Sequence, residues 1–253
     1  MTDASGIAPS STAAADSSAP RAVDAQARER WFFAIAAIAL CAIVFAGFAR
    51  TYYLKNWFHT PALSWLLQLH GAVMTSWFLL FVVQTRLIAT HRIKMHRRVG
   101  VAGAVLAALV VVVVSAVIIE TQRRAVRLGH PHLSAMAFQS GIVLVFAILV
   151  TAAIVLRRRS DVHKRLMLLA CLSILSPGIV RIPLHAIHAG GLFSLIGILD
   201  ACIIICAIVD ALNHRRLHPA FVWGGLLIIL FQPLSLLLGA TSAWMHVARM
   251  LVV

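Results

Sequence analysis

The sequence predicts an all-α polytopic membrane protein, a bundle of seven transmembrane helices. Three observations carry that expectation. Apolar residues make up 61% of the 253 and charged residues only 12%. Apolar stretches of about 20 residues, the length a helix needs to cross the hydrocarbon core of a bilayer, recur along the chain. Runs such as Val110–Val114 and Ile203–Ile205 do not alternate, as the strands of a membrane barrel would. Unpaired backbone groups are too costly in lipid for open strands, so the spans are helices.

In chain order the expected spans are Trp31–Phe48, Leu63–Gln84, Val99–Ile119, Leu133–Leu156, Leu166–Leu184, Leu192–Leu212 and Phe221–Ala240. They form one membrane domain, residues 31–240, because no loop between them is long enough to fold separately. Trp31 at one end of the first span and Tyr52, Tyr53 and Trp57 at the other suit the aromatic belts of the two interfaces. Asn56 to Pro61 then break the chain. The third span carries Gly100, Ala104 and Ala108 at four-residue spacing, with Gly103 and Ala107 beside them. Small residues in that register let helices approach closely, so this span reads as a central packing helix without a ligand role. Pro177-Gly178 and Pro183 interrupt the fifth span, which is expected to kink or unwind toward its outer end. Pro233 predicts the same for the seventh. Residues 241–253 are left as a short outer segment.

Residues 1–30 read as a disordered cytoplasmic tail. Met1–Pro20 is rich in Ser, Ala and Asp and cannot bury enough apolar surface to order itself. It lacks the charge-then-apolar layout of a secretory signal.

The formal net charge of +14 does not point to nucleic acid, because the basic residues follow the loops. With the N-terminus in the cytoplasm, 15 of the 22 Lys and Arg residues fall on inner segments and seven on outer ones. That asymmetry predicts N-terminus in and C-terminus out. The partners implied are the bilayer and its anionic headgroups. The cysteines Cys41, Cys171, Cys202 and Cys206 all lie within spans, so they are expected to be free thiols.

Signatures of soluble enzymes are missing: no nucleophile elbow, no phosphate-binding glycine loop, no His-Glu-x-x-His helix. Of eight acidic residues, Asp3, Asp16, Asp24 and Glu29 are in the tail region. Hydrolysis by paired carboxylates is therefore poorly supported. The informative residues are polar ones within the spans, where ionisable groups are expensive. His70, Gln139, Arg181, Asp200 and Gln232 all lean toward the outer half, with His185 and His188 just beyond Arg181. One polar pocket open to the outside is the economical expectation. Arg181 and Asp200 form its charged pair, either orienting an anionic or protonatable ligand or locking two helices; alternatively Arg181 snorkels. His70 reads as a haem ligand, a metal ligand, a proton relay or a histidine bonded to a neighbouring helix. His70, His185 and His188 are the metal candidates in this half.

His70 lies 15 residues, about 22 Å of helix, from the inner end of its span. Zn–N bonds are about 2 Å, so neither His96 nor His163 can share an ion with it. His96, Arg97, His163, Lys164 and Arg165 instead form an inner basic rim, read either as a headgroup- or anion-binding surface or as plain topogenic charge. A weak internal echo links two hairpins. His70 is followed 26 residues later by His96-Arg97-Arg98, and Gln139 is followed 24 residues later by His163-Lys164-Arg165. Duplication and chance both account for it.

Leu69-His70-Gly71, His96-Arg97-Arg98-Val99-Gly100, His163-Lys164-Arg165-Leu166-Met167-Leu168 and Arg50-Thr51-Tyr52-Tyr53-Leu54 resemble bacterial predicted membrane proteins grouped as domains of unknown function. The resemblance covers roughly residues 31 to 240. It implies a multi-pass protein of the bacterial inner membrane, with a site at His70, His96 and His163, and brings no activity. A fainter likeness is to membrane haem-b cytochromes, which hold haem between histidines on neighbouring helices. The expected function is a redox or accessory protein binding a cofactor (haem b or a transition metal) or a small ligand. A small-solute or proton-coupled transporter and a structural or sensory subunit are the alternatives.

Overall fold

A computed structural model describes residues 18–183 and 190–252, with α1 side chains from Ala27 onward. The helices are α1 (Ser18–Phe48), which continues through a π-helical turn at Ala49–Tyr53, α2 (Trp65–Ala89), α3 (Ile93–Arg127), α4 (Leu133–Val155), α5 (Ser160–Ser173), α6 (Ser176–Ile179), α7 (Gly191–His214), α8 (Pro219–Gly239) and α9 (Ser242–Val252). No strand occurs among the described residues. Six helices are long and apolar enough to cross a membrane: α1 with its π turn, α2, α3, α4, α7 and α8.

The expected fifth span is absent from those six because it is divided. Pro177 has no N–H to donate, and its ring would strike the carbonyl four residues back, at Ser173. There α5 stops, and the four-residue α6 starts at Ser176. The divided segment is the core of the molecule: Leu168, Leu169, Ala170 and Cys171 are fully buried, and Leu172 and Leu175 nearly so. The third span, expected to be central, lies at the periphery, with Val101, Val105 and Val112 exposed. Its small residues serve one neighbour, α2. A Cβ on Gly103 would sit 3.2 Å from Leu80, and Ala107 is buried. Small-residue spacing reports close approach to a partner, not encirclement.

Three further features differ from expectation. The helix of the first span already begins at Ser18, within the segment assigned to the tail; residues 1–17 lie outside the described residues. Pro233 does not interrupt α8, which is continuous from Pro219 to Gly239; prolines are tolerated in membrane helices when neighbouring groups take up the freed backbone. The segment after the seventh span forms a helix, α9. It tucks Ala248 and Val252 against Ile118, Leu133 and Met136, and Trp244 Nε1 donates to the Leu133 carbonyl at 2.8 Å.

All helices join at two ends. The start of α1, the α2–α3, α4–α5 and α7–α8 connections share one end, here the basic end. The close of α1 and α6 meet at the opposite end, where a Cβ on Gly47 would overlap the Gly178 carbonyl oxygen. Exposed Trp31 and Trp223 lie toward the basic end, and exposed Trp57 and Trp65 toward the opposite one.

Candidate functional site

At the basic end the charged side chains are tied together. Arg165, one turn into α5, donates from Nε to Asp210 Oδ2 at 2.9 Å and from Nη2 to Oδ1 at 2.7 Å. Both side chains are buried, at 2% and 0% exposure. Nη1 of Arg165 also caps the Asp161 carbonyl at 2.7 Å. Glu29 of α1 reaches into the same knot. It pairs with Lys164, lies 3.4 Å from Arg165, and meets His214 Nε2 at 3.0 Å. His218 closes the rim through Asp161, at 3.1 Å. α5 and α7 are thus joined by a bidentate pair of the strongest hydrogen-bonding type, and Glu29 ties α1 to both. Glu29, Asp210 and His214 have the spacing of metal ligands, with ligand atoms within 4.8 Å of one another. Arg165 and Lys164 already neutralise those carboxylates, so the group reads as an ion-pair lock.

Beside this knot two histidines face each other. His96 is in the first turn of α3, because α3 begins at Ile93 and not at Val99. His163 is in the first turn of α5. Their ring centroids are 6.4 Å apart and the rings are nearly perpendicular, at 76°. His163 Nδ1 lies 2.8 Å from the Ala153 carbonyl of α4. A carbonyl can only accept, so Nδ1 carries the proton and Nε2 is left with its lone pair. His96 Nδ1 is buried and has no hydrogen-bond partner. Gln84 Oε1 on α2 is also buried and unpartnered, and its amide nitrogen lies 3.7 Å from where a Cβ on Gly100 would sit, one turn along α3 from His96. Arg97, next in the chain, is exposed.

The outer residues do not converge on one pocket. Arg181 and Asp200 form no ion pair: Arg181 donates to the Pro177 carbonyl at 2.7 Å and lies over the Phe48 ring at 4.8 Å. Pro177 is one helical turn before Arg181, so this hydrogen bond stays within the segment. Asp200 instead accepts from Gln232 Nε2 at 2.7 Å, joining α7 to α8. A cavity of ≈ 20 Å³ adjoins Gln232, lined by Ser173, Ser235 and apolar side chains including Phe138 and Phe231. That is room for about one water. Gln139 does not line it; its side chain is exposed on another face of α4. His70 is half-buried with Nδ1 unpartnered. His185 and His188 lie outside the described residues, and so does any site that includes them.

Sequence reasoning therefore named both histidines of the pair, as part of an inner basic rim and, by resemblance, of a site with His70, and it gave no site role to Glu29, Asp210 or Gln84. The available signal was Asp210 with His214, an i, i+4 pair on one helix face. No protein-family model, curated protein or solved structure matches the chain.

Proposed function

We propose that this chain is a multi-pass membrane protein that holds a cofactor or small ligand, in a redox or accessory role, between its α2–α3 and α4–α5 hairpins. The observation that carries this reading is the meeting of His96 and His163. They occupy matching positions of the two hairpins that echo each other in sequence, and they come within 6.4 Å centroid to centroid. Sites at the junction of internal repeats are a recurrent feature of membrane proteins. Ligating histidines characteristically have the second ring nitrogen fixed by a carbonyl, as Ala153 fixes His163. A buried nitrogen without a partner, as at His96, costs free energy that a ligand would recover. The candidate site therefore belongs at the basic end, not around His70.

Seven crossings fit this arrangement better than six. The divided α5–α6 segment begins beside Glu29 and ends against Gly47. Those two positions of α1 are separated by about 27 Å of helix, close to the thickness of the hydrocarbon core. An odd number of crossings puts the termini on opposite sides, with the basic end and anionic headgroups in the cytoplasm. By its resemblance the membrane is a bacterial inner one. Reporter fusions at the two termini test this; activity of the same reporter at both ends would contradict seven crossings.

A transporter is the second reading, favoured by the broken α5–α6 at the centre of the bundle, since discontinuous helices line the sites of many carriers. The deciding experiment is an absorption spectrum of the purified full chain, oxidised and reduced, beside elemental analysis. A bound group lost in both His96→Ala and His163→Ala supports the first reading. A colourless, metal-free protein with no co-purifying ligand would move the assignment to transport.

A further inference from the structure

We propose that His96 and His163 hold a single soft monovalent metal ion, copper(I) being the biological case; the inference rests on the reading of this pair as the ligand site. The separation of the rings is the first argument. A ring nitrogen lies about 1.1 Å from its centroid, and metal–imidazole bonds are about 2.0–2.1 Å. One ion between two imidazoles therefore sets the centroids at most about 6.4 Å apart when the nitrogens oppose each other, and about 5 Å apart at a tetrahedral angle. The observed 6.4 Å matches the opposed arrangement, with two ligands and the ion nearly in line.

The donor set is the second argument. Imidazole suits copper, zinc, iron and nickel. Zinc takes four ligands, commonly with thiolate or carboxylate among them. Among the described residues no cysteine, carboxylate or third histidine joins this pair; the group of three that does occur is Glu29, Asp210 and His214, elsewhere at the basic end. Two neutral imidazoles alone satisfy an ion that accepts linear two-coordination.

Charge is the third. Arg97 follows His96 in the chain and is exposed, while Lys164, which follows His163, is already paired with Glu29. Among the described residues no carboxylate joins the two histidines as a ligand. Repulsion by Arg97 doubles for a divalent ion relative to a monovalent one at the same distance. The availability of His163 Nε2, with Nδ1 committed to Ala153, and of the buried His96 Nδ1 completes the donor pair.

The test is anaerobic titration of the detergent-purified full chain with copper(I) against a chromophoric copper(I) chelator, with zinc(II) and cobalt(II) in parallel. One equivalent of copper(I) is expected. Affinity should fall by more than about 100-fold in His96→Ala and in His163→Ala, beyond the 10- to 100-fold that loss of an outer-shell partner costs. The double variant should fall no further than either single, and His91→Ala, in the exposed α2–α3 turn, should match the unchanged protein. X-ray absorption on the copper-loaded unchanged protein should give two nitrogen neighbours and no sulfur, a reading independent of whether the variants fold. Histidine-dependent binding of zinc(II) in preference to copper(I) would overturn the choice of ion and leave the ligand site standing. Copper(I) binding that survives both substitutions, or sulfur in the copper shell, would overturn the site assignment. A protein that binds none of the three ions would overturn the inference, and the spectrum described above would then decide whether the site holds another group or none.

Discussion

The two ends of this bundle handle polarity by different means. At the basic end Arg165, Asp210, Glu29, Lys164 and His214 cross-link α1, α5 and α7, and the central pair is almost fully buried. At the opposite end Arg181 binds the carbonyl one turn back and rests on Phe48. In mid-bundle Asp200 accepts from the Gln232 amide. Tyr53 donates to Thr75 at 2.7 Å, since Thr75 spends its own proton on the Gly71 carbonyl. The difference teaches that a charge within an apolar segment is not by itself a site. Arg181 bonds within its own segment, and buried unpartnered groups occur in both regions, His70 Nδ1 and Gln232 Oε1 away from the basic end and His96 Nδ1 and Gln84 Oε1 within it; only His96 among them lies opposite a second histidine, beside the ion-pair framework.

Breaking the buried pair should have the largest effect. Asp210→Ala leaves Arg165 buried without its carboxylate, which costs about 3–5 kcal/mol. Reversible unfolding in mixed detergent should show it as a loss of stability. The double change Arg165→Met with Asp210→Leu should recover most of that loss, because apolar replacements of buried ion pairs are often neutral or better. A double variant as unstable as the single would mean that the pair is needed for more than its own neutralisation.

Next comes the opposite end. Gly47→Ala forces α1 away from the Gly178 carbonyl, an overpacking cost of about 1–3 kcal/mol. Its effect should be the same in a chain that already carries Arg165→Met and Asp210→Leu, since distant sites add. Asp200→Asn keeps an acceptor for Gln232 and should cost about 1 kcal/mol or less. The contrast between Asp200→Asn and Asp210→Ala sharpens the comparison in one host. The smallest effect belongs to Glu120→Gln. Its partner Arg127 is 3.1 Å away, but the side chains are 53% and 63% exposed, and such pairs contribute about 0–1 kcal/mol.

The fold was largely legible because lipid imposes length and apolarity on each span. The limits of α4, α7 and α8 fall within two residues of the expected ones. The division of the fifth span was legible from Pro177, whose chemistry is local. What the sequence could not supply was which helix lies beside which. Arg165 sits where topogenic charge is expected and Asp210 in the last turns of an apolar span, and 45 residues separate them, so nothing along the chain marks them as partners. Arg181 and Asp200 looked like partners by depth alone, and depth says nothing about facing. The burial of α5 and the exposure of α3 reversed the expected roles for the same reason. His96 was within view as part of a basic triplet, but its pairing depends on α3 starting six residues before Val99. Element boundaries are the least certain part of any reading from pattern.

The central claim is that the junction of the two hairpins holds a group between His96 and His163. Native mass spectrometry of the full chain released from detergent, unchanged and as His96→Ala and His163→Ala, tests it most directly. The account predicts one bound group on the unchanged protein and the bare chain mass for both variants. An unchanged protein at bare mass, or a bound group retained by both variants, would contradict it.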